Sequence, residues 1–388
     1  MSIAFIDLKA QLDRIRDSMH ASILSVVDSG QYVLGPPVAE LERRLSEFSG
    51  AAHTVACANG TDALALPLMA WNVGPGDAVF CPSFTFAATA EIMPWLGASP
   101  VFVDILPDTY AIDAAHLEAA IEATRAAGKL TPKAIIAVDL FGQPADYPRL
   151  ARIAREHGLK LIADSAQGFG ATLGGQHPIA WADAVTTSFF PAKPLGCYGD
   201  GGAVQTNDAG LADALQSLRA HGQATKHDVE NARFEHDPRY LNVRIGMNSR
   251  LDSIQAAVLL EKLKIFPDEI VARNRIAARY TEKLNGVVAA TPTVIAGGNS
   301  VWAQYTIEAS DRDGLAAHLK AKGVPSASYY PIPMHKQAPY AHYPVGPGGL
   351  PVSEDKASRV ISLPMHPYLD KATQDAVIAA VKTHNGAL

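Results

Sequence analysis

The sequence has few of the features that mark membrane, secreted, metal-binding or nucleic-acid-binding proteins. It holds three cysteines in 388 residues, Cys57, Cys81 and Cys197, scattered and odd in number. That pattern is neither a disulfide framework nor a metal spacing, and it predicts a reduced, cytoplasmic protein. No uninterrupted apolar run reaches the roughly 18 residues expected of a membrane span. The opening segment, Met1 to Leu8, lacks the basic head and apolar core of a signal peptide. Positive charge is in deficit: 33 Lys and Arg face 39 Asp and Glu, giving a net charge of -6. A nucleic-acid surface needs a basic patch or stripe, so no such partner is expected. Loops of the Gly-x-Gly-x-x-Gly or Gly-Lys-Thr type are missing, as is His-Glu-x-x-His. The histidines, among them His221, His335, His342 and His366, are dispersed, and no metal is expected.

What is present reads as a well-packed globule. Apolar residues make up 48% of the chain and charged ones 19%. The length fits two domains. Over the first two thirds, short apolar runs alternate with helical patterns. Val38, Leu41, Leu45 and Phe48 recur at helical spacing, with Gly50 just past them as a C-cap. Strands are expected at 53–58, 77–83, 101–103, 134–139, 159–164, 182–190 and 203–206. Helices are expected at 63–70, 86–96, 117–125 and 148–157. Such alternation predicts an α/β domain with a mostly parallel sheet covered by helices on both faces. Sheets of that kind bind ligands at the carboxyl ends of their strands.

The pattern changes after residue 250. Ile254, Val258, Leu259, Leu263 and Phe266 form a stripe that predicts a long connecting helix running to Leu284. Beyond it a strand at 301–308, a helix at 314–322, a strand at 326–330 and a last helix at 372–381 predict a smaller α+β domain. The division is therefore 1–250 and 251–388. The polar stretch from Thr225 to Tyr240 lacks periodicity and reads as a long loop, a length that is often functional.

Three sites stand just past expected strand ends. Lys193 lies between Pro191 and Pro194, ahead of Gly196, Gly199, Gly201 and Gly202. Pro194 disfavours α conformation at Lys193, and the glycines allow tight turns. A lysine that forms an imine needs a lowered pKa, which burial supplies; taken singly, it could equally be a solvated loop lysine. Asp164 closes the apolar run Leu161-Ile162-Ala163, where it could pair with a cation inside a cleft or merely cap the next turn. Asn59-Gly60-Thr61-Asp62 opens a helix, and the free N–H groups there suit a phosphate, or only an ordinary strand-to-helix turn. Phe84 and Phe86 offer flat faces for a stacked ring, or core.

Together these pieces resemble the pyridoxal-phosphate (PLP) sugar aminotransferases of the DegT/StrS family, over nearly the whole chain. The marks occur in order: Gly60-Thr61-Asp62-Ala63-Leu64, Pro82 to Thr89, Leu140-Phe141-Gly142-Gln143, Asp164-Ser165-Ala166-Gln167, Ser188 to Gly202, Arg219-Ala220-His221-Gly222 and Gly246 to Asp252. The resemblance implies an aspartate-aminotransferase-like fold (PLP fold type I). It implies that Lys193 carries the cofactor and acts as the catalytic residue. Asp164 would face the pyridine nitrogen, Gln167 the ring hydroxyl, and Gly60, Thr61 and Ser188 the phosphate. Phe86 and Ala166 would lie on the two ring faces. Asn248 would reach the phosphate of a neighbouring subunit's cofactor, making a homodimer with shared active sites, while Arg250 and His335 look like substrate-side residues.

The implied reaction carries an amino group from L-glutamate, through pyridoxamine 5'-phosphate, to a nucleotide-linked keto sugar. The stretch from Phe190 to Asp200 is similar to members that aminate C3 of a UDP-2-acetamido-3-keto sugar uronate, which would serve surface polysaccharide or glycoside biosynthesis. Alternatives are a UDP-4-keto or dTDP-3-keto hexose, a PLP lyase, or a regulatory relative. Two departures bear on sugar fit. Ala163 stands where many members have an acidic residue, and Asp139 where the family often has His.

Overall fold

The computed structural model describes residues 3–231, 240–384 and 386. Helix α1 (Leu8–Ser29) and helix α2 (Pro36–Ser49) precede the main sheet. Then follow β1 (His53–Cys57), α3 (Gly60–Ala70), β2 (Asp77–Pro82), α4 (Ala88–Trp95), β3 (Ser99–Val103), α5 (Ala114–Ala127), β4 (Thr131–Val138), α6 (Tyr147–His157) and β5 (Lys160–Asp164). After the two-residue β6 (Thr172–Leu173) come β7 (Ala184–Ser188), β8 (Gly202–Thr206), α7 (Ala209–Leu218) and the short α8 (Lys226–Asn231). Helix α9 (Ser253–Leu284) is 32 residues long. The chain continues through β9 (Gly298–Asn299), β10 (Tyr305–Glu308), α10 (Arg312–Ala321), α11 (Pro351–Arg359), β11 (Val360–Leu363) and α12 (Lys371–His384).

Seven strands form the main sheet in the order β1-β8-β7-β5-β4-β2-β3. Only β8 runs against the rest, pairing antiparallel with both β1 and β7. The strands are apolar on both faces, as a helix-covered parallel sheet requires. Val79, Cys81, Ala134, Ile136 and Ile162 point into one core cluster. Their chain neighbours Ala78, Phe80, Ile135, Ala137 and Leu161 point into the other. The period of two thus places a core on each side of the sheet. A third core joins α9, β10, β11 and α12 in the smaller C-terminal domain. No described helix is long and apolar enough to cross a membrane.

The expected α/β fold with a smaller α+β domain is present, with local corrections. The strand expected at 301–308 starts only at Tyr305. Upstream, Trp302 has φ +50°, and the N–H of Val301 donates to Gly142 O at 2.8 Å, so this stretch bonds to a loop of the large sheet instead. The strand expected at 326–330 shrinks to one bridge between Ala327 and Ser362. The loop expected at 225–240 contains α8, capped where Thr225 Oγ1 accepts from Asp228 N and the Thr225 N–H donates to Asp228 Oδ2. The Thr-x-x-Asp spacing is the signal that the polarity obscured. Residues 232–239 of that stretch lie outside the described residues.

Asp104, just past β3, joins the two domains. Its carboxylate accepts from the Val352 and Ser353 N–H groups at 2.9 and 2.8 Å and from Ser353 Oγ at 2.6 Å, capping α11 from another domain. Asp104→Ala strands these buried donors. It is expected to lower unfolding free energy by roughly 2–4 kcal/mol in denaturant titration. A loss within about 0.5 kcal/mol, as at an ordinary surface site, would show that the cap carries no such weight.

Candidate active site

The carboxyl ends of β1, β5 and β7 lie at one edge of the sheet, and the chain segments leaving them enclose a cavity of about 500 Å³. A volume of that order is typical of a small-molecule site. Lining it are Gly60, Thr61, Phe86, Asp164, Ala166, Gln167, Ser188 and Lys193. Eight residues named from sequence, scattered over more than a hundred positions, are therefore brought to one place.

Lys193 sits on the loop between β7 and β8. The loop closes on itself: Phe189 N–H donates to Gly201 O at 2.7 Å, and Cys197 N–H to Phe189 O at 2.7 Å. Gly196 is needed there, because a Cβ would stand 2.6 Å from the carbonyl oxygens of both Phe190 and Pro191. Burial lowers the Lys193 pKa, and the carboxylate of Asp164 pulls it partly back. Asp164 itself is buried. Burial raises its pKa, opposed by the Thr89 hydroxyl, the Ala166 N–H and the charge of Lys193. Thr89 Oγ1 donates to Asp164 Oδ2 at 2.9 Å, and Ala166 N–H to Oδ1 at 3.2 Å. Thr85 Oγ1 lies 2.9 Å from Thr89 Oγ1 and extends the chain of hydroxyls.

The N-terminus of α3 also opens onto the cavity and suits an anion. Asn59 Oδ1 caps α3 by accepting from Asp62 N–H at 2.8 Å. The earlier N–H groups, of Gly60 and Thr61, have no partner within a helix by construction. The backbone approaches too closely for side chains: a Cβ on Gly60 would stand 2.5 Å from Ser188 Cβ, and one on Gly202 2.3 Å from Asn59 O. Glycine at position 202 lets β8 pass close under Asn59, and glycine at position 60 lets the start of α3 close on Ser188, so that the free N–H groups of α3 stand beside the Ser188 hydroxyl at the cavity, the form of a phosphate site.

Gln167 is already engaged on both sides. Its Oε1 accepts from Phe141 N–H at 2.8 Å and its Nε2 donates to Tyr330 Oη at 3.0 Å. Phe86 is 55% exposed, with its ring 6.1 Å from that of Tyr330. Three residues named from sequence do not line the cavity. Asn248 is exposed and pairs through its backbone with Ala220. Arg250 is half-buried two residues further on. His335 has both ring nitrogens occupied, Nδ1 lying 2.7 Å from Ser83 Oγ and Nε2 3.1 Å from Glu354 Oε1.

Sequence reading missed the far wall, made of Ile6, Gln304, Tyr329 and Tyr330. It also missed how Thr89 backs Asp164, although Thr85 and Thr89 stand four residues apart within a segment singled out above. Asp139 was noted only as a departure. It proves to be fully buried behind the turn that carries Ala166 and Gln167, where Ser165 Oγ and Tyr147 Oη both donate to it at 2.5 Å and Ala145 N–H at 3.2 Å.

Burial pushes the Asp139 carboxyl up to about 7 despite these donors. The folded protein then keeps a proton there that the unfolded chain has lost, so stability falls as pH rises from about 4 to about 7. Asp139→Asn has no ionisation to lose. In denaturant titrations the stability of wild type relative to the variant is expected to decline steadily across that interval. Identical pH dependence in the two proteins would contradict the elevated pKa.

Comparison with known proteins places this geometry. A model of the DegT/DnrJ/EryC1/StrS aminotransferase family matches residues 13–382. The UDP-2-acetamido-2-deoxy-3-oxo-D-glucuronate aminotransferase of Pseudomonas aeruginosa is 48% identical over 98% of this chain and 99% of its own. A crystal structure of a DegT/DnrJ/EryC1/StrS aminotransferase from Brucella abortus is 55% identical, covers 99% of this chain and 100% of its own, and superposes with a TM-score of 0.94. The structure of ntda from Bacillus subtilis, with bound cofactor PMP, is 27% identical, covers 98% of this chain and 83% of its own, with a TM-score of 0.83.

Proposed function

The chain belongs to the DegT/DnrJ/EryC1/StrS aminotransferase family, and we propose that it moves an amino group from L-glutamate to C3 of a UDP-2-acetamido-3-keto sugar uronate with pyridoxal 5'-phosphate as carrier. The observation that carries the reading is the joint presence of Lys193, Asp164 and the Gly60–Ser188 cradle around one cavity. Full-length similarity to an aminotransferase of a UDP-2-acetamido-3-oxo sugar acid supports the choice of acceptor.

The residues fit the cofactor by their own geometry. The cradle in which a Cβ on Gly60 would collide with Ser188 suits a phosphate, held by the Gly60 and Thr61 N–H groups and the Ser188 hydroxyl. Asp164, a buried carboxylate braced by Thr89 in the same cavity, would pair with the cationic ring nitrogen. Phe86 and Ala166 bound the two faces of a flat ring. Gln167 has one Nε2 hydrogen left for the ring hydroxyl once Tyr330 has taken the other. When bound, PLP supplies an electron sink and a carrier for the amino group.

Lys193 does the proton work. Desolvation lowers its pKa, so its Nζ is unprotonated more often than that of a surface lysine and can attack a carbonyl. Within each half-reaction the same Nζ would act as general base and then general acid, moving one proton between the substrate carbon that bears the nitrogen and the carrier. One lysine serving both half-reactions implies ping-pong kinetics.

Asn248 and Arg250 serve a second copy of the chain. They adjoin an exposed apolar strip: Tyr32, Val33 and Leu34 on one side, Val243 and Ile245 on the other, the last 93% exposed. The strip and the two polar residues are connected, since Val33 bridges Asp252 and Ser253 N–H donates to Tyr32 O at 2.8 Å. Apolar surface of this kind marks an interface. In such a dimer Asn248 would reach the partner's cofactor phosphate and Arg250 would bring charge to the sugar nucleotide. His335 acts on the substrate side by fixing the segment that carries Tyr330.

The purified protein with PLP and L-glutamate is expected to aminate the UDP-3-keto uronate, and light scattering to find a dimer. Lys193→Ala should lower turnover by at least ~10³-fold. Product analysis across UDP-3-keto uronate, UDP-4-keto and dTDP-3-keto hexoses decides the acceptor. Amination of one of the latter two alone would overturn the uronate assignment, and a monomer at assay concentration would overturn the shared site.

A further inference from the structure

The loop that carries Lys193 leaves β7 and returns at β8, and the bonds from Phe189 N–H to Gly201 O and from Cys197 N–H to Phe189 O lie within it. Among the described residues, the side-chain hydrogen bonds that reach this loop from beyond its two flanking strands come from Gln255, in the first turn of α9. The carboxamide meets both poles of one residue. Its Oε1 accepts from Tyr198 N–H at 2.8 Å, and its Nε2 donates to Tyr198 O at 3.5 Å. Gly199 permits the approach, since a Cβ there would stand 3.2 Å from Gln255 Nε2.

Two helical turns further along the same face of α9, Lys262 reaches the same residue. Its Nζ stands 4.4 Å from the centroid of the Tyr198 ring. Lys262 is buried, and its Nζ has no hydrogen-bond partner among the described residues. Burial pulls its pKa down to about 8, opposed by the charges of Glu269 and Cys197, so the side chain keeps its own charge at pH 7. A buried ammonium without hydrogen bonds is destabilising, and an apolar side chain of similar volume would pack there more favourably. The charge is kept nonetheless, and the ring it faces belongs to the loop of Lys193.

We propose that Gln255 and Lys262 are positioning residues for Lys193: the carboxamide grips the backbone at Tyr198, the ammonium holds the ring, and α9 thereby fixes the returning limb of the loop. The inference rests on the cofactor role given above for Lys193 and adds what holds that lysine in place. Neither side chain lines the cavity, so each acts through the loop. The stakes are high at a reacting atom, where a misplacement of about 1 Å costs on the order of 100-fold in rate.

The test uses the PLP-loaded protein and two readouts. Mixed with L-glutamate in a stopped-flow instrument, it is expected to lose its visible cofactor absorbance at a rate that saturates with glutamate. That rate constant belongs to the folded, loaded population, so a variant that is merely destabilised loses amplitude and keeps the rate. Gln255→Ala is expected to lower the saturating rate ~10- to 100-fold with half-saturation unchanged, and Lys262→Met ~3- to 10-fold. Tyr198→Leu should match Lys262→Met, and the double variant should be no slower than the slower single one, because both remove one contact. Tyr198→Phe keeps the ring and should retain the wild-type rate. Amide hydrogen exchange supplies the readout independent of turnover: peptides covering residues 189–201 should exchange at least ~10-fold faster in Gln255→Ala, with those of β4 and β5 unchanged.

Saturating rates and loop exchange within ~2-fold of wild type in the folded variants would overturn the proposal. Losses that multiply in the double variant would overturn the contact of Lys262 with the ring. A wild type whose absorbance glutamate leaves unchanged would instead overturn glutamate as the donor, and loop exchange then decides the clamp alone. A wild type that gains no visible absorbance with PLP would overturn the cofactor role of Lys193, and the positioning role with it.

Discussion

Opposite charges held out of water at the edge of the sheet set the terms for everything around them. Burial alone would discharge both Asp164 and Lys193, raising the first and lowering the second, and each partly restores the charge of the other. A carboxylate in such a place has to be braced, which is the task of Thr89 and Ala166 N–H. A lysine there has to be delivered by backbone that doubles back tightly, which is why Gly196 lies against two carbonyl oxygens. The site is therefore an unfavourable arrangement that the two cores of the sheet stabilise, and the cofactor proposed above, with its cationic ring nitrogen and phosphate, would complete it.

The large domain was legible because its signals are local and mutually consistent. Two-sided apolar strands such as Ala134–Val138, with helices between them, fix a parallel sheet and hence the edge at which a ligand binds. Eight residues of the cavity lining could be named because each sits at a strand end, on the loop that follows or at the start of the next helix, where pattern and motif coincide. The far wall was not legible. Gln304, Tyr329 and Tyr330 come from the C-terminal domain, from stretches that alternate like strands yet bond as loops. Their approach to the cavity depends on tertiary ties such as Asp104 to α11 and Tyr110 Oη to Glu308 Oε1 at 2.8 Å. No local pattern encodes such ties. Asp139 was visible as an unusual residue, but its burial beneath Ser165 required coordinates.

The division of labour between the walls has a chemical logic. Strand ends of the large sheet carry the charged residues of the cavity, Asp164, Lys193 and Asp200, which under the proposed function would act on parts of the reaction common to every acceptor. The C-terminal wall carries neutral amide and aromatic groups, and the hydrogen bond from Gln167 to Tyr330 ties it to the turn that follows Asp164. Asn248 and Arg250, on a surface rimmed by exposed apolar side chains, fit a third contribution from a second chain.

The central claim is that Lys193 is the residue that holds the cofactor, and it is tested most directly by reducing the PLP-loaded protein with borohydride and mapping the modified peptide by mass spectrometry. A single reduced cofactor adduct is expected, on the peptide containing Lys193. An adduct on another lysine, for instance the buried Lys262, or no adduct on a protein that has been saturated with PLP, would contradict it.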